Sequence, residues 1–324
     1  MTTFSTSDAA FSGFRFIGRQ PRTVLIWALA NLAFKLVSGI VLVLLAGDKL
    51  NELMSAGQSG SAESAGALVM TPGLSLLFLI GLPAALGFSA VMFAAAYRAA
   101  LTPEDARLGY LRISRDEFRM AVLIVAWLAL VIGYLFLVMF IAGFASGFVL
   151  GVISATGVQL PAIVSAVLII LLTGGVLGAV IYPLVRLSLS MPMTLAERHI
   201  RLLESWRPTQ GHFWPIAGAL ALSLTLIVVV WIIAAIVTTA IAAVVILVAG
   251  GTLADVSGIF RPDGSSLATY FTPARLIVAV LNAPVSAAVW AIFVGPFAEA
   301  YAAFHVPGGL APPPVALQEP AATA

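Results

Sequence analysis

Six times along this chain the sequence runs through an apolar stretch long enough to cross a hydrocarbon core of about 30 Å, which takes roughly 20 helical residues. The runs fall at about 23–46, 73–100, 120–150, 163–187, 216–249 and 276–301. Lipid offers no partner for backbone N–H and C=O groups, so a spanning segment must be a helix or part of a closed barrel. The runs are continuous and lack the period-two alternation of barrel strands. The sequence therefore predicts an all-α membrane protein of six transmembrane helices. Composition agrees: of 324 residues 61% are hydrophobic and 9% charged, against about 25% charged in soluble domains. Several runs exceed a straight crossing, so tilt or extension beyond the bilayer is expected.

Positive charge orients the spans. One side receives Arg15, Arg19, Arg22, Arg98, Arg107, Arg112, Arg115, Arg119, Arg186, Arg198, Arg201 and Arg207, the other only Lys49, Arg261 and Arg275. This predicts both termini in the cytoplasm of a bacterial inner membrane, an origin that fits the excess of Arg over Lys. The opening MTTFSTSDAAFSGFRFIGRQPR lacks the apolar core and small-residue site of a cleaved signal peptide. Segment 47–72 contains AGQSGSAESAG and reads as a flexible outer loop, and 306–324 as a disordered tail after one membrane domain, 1–305. The basic residues lie in small groups beside apolar runs, a pattern of membrane topology and not of nucleic-acid binding. The absence of Cys excludes disulfides and thiolate metal sites.

Three segments on the arginine-rich side open alike. Ser5 is followed by Asp8, Thr102 by Asp105 and Thr194 by Glu197, a hydroxyl and an acid at capping-box spacing. After the third start, Leu195, His199, Leu202, Leu203 and Trp206 would share one helical face and Glu197, Arg198, Arg201 and Glu204 the other. Ser114 and Glu117 form another such pair ahead of the third span. The even-numbered spans end in YRAALTP, YPLVRLSLSMP and PFAEAYAAFHVP. The chain thus reads as three repeats of an amphipathic interfacial helix plus two spans, over about 5–101, 102–192 and 194–305.

The motifs SWRPTQGHFW, SDAAFSGFRFIGRQP and YRAAL–P resemble those of uncharacterised bacterial six-span proteins. These are similar in turn to the membrane region fused to some glycerophosphodiester phosphodiesterases. In that family catalysis belongs to a soluble barrel with paired His and metal-binding acids. With three His in this chain, the resemblance implies a membrane partner or scaffold, not a hydrolase.

Candidate chemistry is sparse. His199, His212 and His305 show no metal-binding spacing, and no GxSxG elbow is present. Glu197 and Arg201 suit a surface ion pair, and Asp255 and Asp263 suit caps and turns. The anomaly is Lys35, about twelve residues into the first run. A centred Lys opposes insertion by about 2.5–3.5 kcal/mol, which neighbouring Leu and Ile at about −0.5 each offset. Asn31 shares its face one turn away, and Asn282 lies at a comparable depth in the sixth run. Two readings stand. Asn31, Lys35, Ser38 and Asn282 form a polar site for an anionic headgroup or small solute, or Lys35 only snorkels or bonds backbone carbonyls. Arg15, Arg19, Arg112, Arg198, Arg201, Arg207 and Trp206 are candidates for contact with anionic lipid headgroups. Pro83, Pro183 and Pro296 would kink the even spans. The functional expectation is a non-enzymatic, lipid-associated scaffold in envelope maintenance without cofactor or metal, with membrane lipids as partners. The alternative is a small-solute or lipid transporter built around Lys35.

Overall fold

The computed structural model describes residues 4–59, 71–104, 107–156, 162–261 and 263–304. Among these, six helices are long and apolar enough to cross a membrane: α2 (Pro21–Ser59), α3 (Pro72–Leu101), α4 (Arg115–Thr156), α5 (Ala162–Arg186), α7 (Phe213–Val248) and α10 (Pro273–Phe304). Shorter helices are α1 (Thr6–Arg19), α6 (Ser190–Glu197), α8 (Leu253–Phe260) and α9 (Leu267–Tyr270), and no strand occurs among the described residues. The six expected apolar runs are therefore helical, with one difference in extent. Helix α2 continues to Ser59, so the first part of the expected flexible loop 47–72 is helical. At 39 residues, about 58 Å of helix, α2 is too long to lie wholly within the hydrocarbon. Residues 60–70, His305 and the expected disordered tail lie outside the described residues.

The centre of the bundle is α10, which packs against α1, α7, α2 and α3, while α5 is joined chiefly to α4. The core is built from small residues and aromatics: Ala90, Ala94, Ala95, Ala283, Ala287 and Ala291 around Trp27, Tyr97 and Tyr110. Without a hydrophobic drive between helices in lipid, close backbone approach and interhelical hydrogen bonds hold such bundles together. Gly13 shows the first of these. A Cβ there would lie 2.4 Å from Ile292 Cα, so only glycine lets α1 lie against α10.

Prolines show the second. Pro183 and Pro296 lie inside α5 and α10, and each leaves the carbonyl four residues earlier without its helical donor. Ala179 O receives the Tyr134 hydroxyl of α4 at 2.9 Å, and Ile292 O receives Ser223 Oγ of α7 at 2.8 Å. In both cases a hydroxyl from a neighbouring helix repairs the break, as lipid-buried backbone requires.

Of the three expected helix starts, the first forms as a cap ahead of α1, where Ser5 Oγ accepts from Asp8 N. Thr102 instead closes α3, its N–H and hydroxyl both donating to Arg98 O. A left-handed turn follows, with Leu108, Gly109 and Tyr110 all at positive φ, held by Trp27 Nε1 to Gly109 O at 2.7 Å and the Tyr110 hydroxyl to Pro103 O at 3.0 Å. The third segment also departs from the expected helix. Thr194 lies inside α6, which ends at Glu197 with Arg198 in the left-handed region. The face proposed for Leu195, His199, Leu202, Leu203 and Trp206 does not exist, because 198–202 is not helical and Leu203–Trp206 is one 3-10 turn.

Candidate functional site

Lys35 stands 14 residues after the start of α2, about 21 Å along it and well within the apolar run. Its side chain is exposed along the helix, facing a groove of about 420 Å³. The α2 wall supplies Phe34, Lys35, Leu36, Ser38, Gly39 and Leu42, and the α10 wall Arg275, Leu276 and Ala279, with Ile259, Tyr270 and Phe271 at the far end. Lys35 Nζ donates to Ser286 Oγ of α10 at 2.9 Å, and Ser286 Oγ donates in turn to Asn282 O at 3.0 Å. No acid lines the groove among the described residues. Pro284, between Asn282 and Ser286, breaks the α10 ladder at the level of the lysine.

Of the four residues expected at this site, the structure brings Lys35 and Ser38 into the groove. Asn282 joins through its backbone carbonyl, while its Oδ1 is buried without a hydrogen-bond partner. Asn31 does not line the groove. Its amide donates to Trp27 O at 2.8 Å and its Oδ1 accepts from Trp290 Nε1 at 3.4 Å, a contact that ties α2 to α10. Beside it Phe93 meets Trp290 edge-on with centroids 4.8 Å apart, and Phe34 stacks on Phe88 at 4.2 Å. Sequence reasoning missed Ser286, Arg275, Tyr270 and Pro284. Pro284 alone was visible, in LNAPVS at the centre of the sixth run. The others come from distant parts of the chain.

At the arginine-rich end several cations are held in ion pairs. Arg15 lies 3.6 Å from Asp8 and 3.7 Å from Glu299, and Arg201 pairs with Glu197 and Glu204. Arg19, Arg112, Arg198 and Arg207 are exposed. Trp206 does not form an outward aromatic face: it packs edge-on against Tyr182, and Arg186 lies over both rings, 5.7 Å from Trp206 and 5.1 Å from Tyr182. A hollow of about 760 Å³ is lined by Met193, Arg201, Leu203, Glu204, Arg207 and Pro208. Arg201 there is paired with Glu197 and Glu204, which leaves Arg207 as the cation of the lining outside those pairs.

A second polar cluster ties α3 to α4. Arg98 is 3% exposed and Glu117 4%, and the two form an ion pair. Glu117 Oε2 also accepts from Ser114 N at 2.7 Å and Ser114 Oγ at 2.5 Å, and Arg98 Nη1 donates to Tyr110 O at 3.4 Å. The Ser114–Glu117 cap was readable from spacing; the buried arginine behind it was not. Among the described residues no three of His, Asp and Glu are placed to hold a metal ion. His199 Nδ1 lies 2.9 Å from Glu197 O, and His212 stacks on Phe304 at 4.1 Å.

No protein-family model matches the chain, and no curated protein or solved structure is significantly similar to it.

Proposed function

We propose that the chain is a non-enzymatic, lipid-associated protein of a bacterial inner membrane, both termini cytoplasmic, that holds an anionic amphiphile in the α2–α10 groove. The observation that carries this reading is the Lys35 ammonium, exposed along α2 within an apolar run, its hydrogen bond going to a neutral hydroxyl. A hydroxyl does not neutralise charge, and an isolated ammonium in hydrocarbon is costly. An anionic headgroup alongside supplies the missing charge, while Phe34, Leu36, Leu42 and Leu276 receive its acyl chains. Twelve cationic residues against three support the orientation. At the cytoplasmic end, Arg19, Arg198 and Arg207 attract anionic lipid at about 1 kcal/mol each. Such a protein serves envelope maintenance as a scaffold that keeps lipid in place.

The backbone hydrogen bond that Pro284 removes from α10 beside Lys35 favours a second reading, transport of a small solute or lipid, because transporters bind where helices are interrupted at mid-membrane. The first test is lipid retention. Wild type and Lys35→Met are purified in mild detergent and their bound anionic lipid is quantified by native mass spectrometry. The wild type should retain lipid that Lys35→Met holds at least about tenfold more weakly, equivalent to about 1.4 kcal/mol. Equal retention by the two proteins sinks the reading. Saturable flux of a water-soluble anion through reconstituted wild type, lost in Lys35→Met, would replace it with transport.

A further inference from the structure

Arg275 makes the groove more than a single-charge site. It stands in the first turn of α10, where Nη1 donates to Tyr270 O at 2.9 Å and Nη2 to Gly258 O at 2.9 Å, with the guanidinium 5.5 Å from the Tyr270 ring centroid. Two carbonyls and a ring therefore fix its plane. A guanidinium has five N–H donors, so three remain. Asp263, whose charge acts on Arg275, is not among the lining residues.

Gly39 brings this fork over the groove. A Cβ at Gly39 would lie 2.9 Å from both the Tyr270 and Phe271 rings, so glycine alone lets the aromatic pair below Arg275 rest against α2. Gly39 is one helical turn beyond Lys35, about 6 Å, within reach of a lysine's flexible four-carbon stem. The ammonium is bonded to the Ser286 hydroxyl, and a grip shared with the guanidinium requires it to leave that hydroxyl as a perch.

Resting on the reading of the groove as a lipid site, we infer that its ligand is a phospholipid whose phosphate is gripped between the fixed Arg275 fork and the Lys35 ammonium. A rigid guanidinium matches two phosphate oxygens at once, whereas an ammonium acts as a point charge. Both cations line one groove whose other walls are apolar, so headgroup and acyl chain are served in the same cleft. Arg275 belongs to the sparsely charged end of the bundle, so in the proposed orientation the lipid comes from the outer leaflet.

The test titrates full-length protein in detergent micelles with fluorescent phosphatidylglycerol, in parallel with fluorescent oleate, and with inorganic phosphate as competitor. Phosphatidylglycerol should bind at least tenfold more tightly than oleate, and millimolar phosphate should not displace it. Arg275→Gln and Arg275→Lys should both lose about tenfold or more, since lysine keeps the charge but not the fork. Gly39→Ala leaves every charged group in place but pushes the Tyr270 and Phe271 rings from α2, and it should weaken binding in a protein that still folds. Ser286→Ala, which removes only the perch, should bind as tightly as wild type or more tightly. Equal affinity for oleate, full binding by Arg275→Lys, or full binding by Gly39→Ala overturns the inference. Displacement by inorganic phosphate overturns it in favour of a soluble phosphate compound. Loss of binding in Lys35→Met with full binding in Arg275→Gln discards the two-point grip and leaves the groove standing, whereas full binding in Lys35→Met removes the groove reading itself.

Discussion

Glu117 and Arg98 illustrate how much a single buried residue can decide. A buried ion pair is close to neutral when exchanged whole for apolar residues, but removing one partner strands a charge at about 3–5 kcal/mol. Glu117→Leu and Arg98→Met should therefore each lower the thermal unfolding temperature in detergent sharply, while the double variant recovers most of the loss. Additive losses would show that the two side chains act independently. The same pair marks the limit of reading a sequence. Ser114 and Glu117 were legible as a cap because three residues is a helical spacing. Nothing in spacing announces Arg98, which meets Glu117 across a left-handed turn. Lys35 was legible as an anomaly for the same reason that its partner was not: its burden is local hydropathy, whereas Ser286 is 251 residues away. Asn31 bonds to Trp27 and Trp290 and not into the groove, because a shared helical face does not say which way two side chains bond.

At the level of elements, the spans were readable almost to their ends because lipid leaves the backbone no choice but helix. The surface segments were not, because outside the hydrocarbon several local solutions compete. Thr194 and Glu197 have capping-box spacing, yet Thr194 Oγ1 accepts from Arg201 N and closes a turn instead of opening a helix. Helix α1 yields a prediction with an internal control. Gly13→Ala drives a methyl into Ile292 and should detach α1, seen as faster proteolysis of the first twenty residues. Gly18, with open space around it, should tolerate Ala or gain up to about 1 kcal/mol from helix propensity. Helix α8 yields one in pH. Asp255 accepts from the backbone N–H and the hydroxyl of Thr252, which hold its carboxyl below the usual aspartate range. A depressed folded pKa stabilises above the unfolded value and ceases to do so as pH falls through the folded one. Hydrogen exchange over 253–260 should accelerate only below the ordinary aspartate range, and Asp255→Asn should flatten that dependence.

For the molecule as a whole, a chain without cysteine allows sidedness to be read from single introduced thiols. His199 and Ser265 are exposed near opposite ends, so His199→Cys should react with an impermeant maleimide from one side only and Ser265→Cys from the other. Lys35→Cys should react from the Ser265 side, because the groove it lines runs towards Tyr270, Phe271 and Arg275. Labelling from the His199 side would contradict that course. The prolines carry a consequence for how the protein is made. Tyr134 and Ser223 precede the broken helices α5 and α10 that they mend, and Trp27 precedes the turn at Gly109 that it holds. During synthesis each donor reaches the bilayer before the carbonyl that needs it. The translation order thus spares the Ala179 and Ile292 carbonyls a stage in lipid without a donor, and a circularly permuted chain that delivered α10 ahead of α7 would insert poorly although its finished contacts were the same.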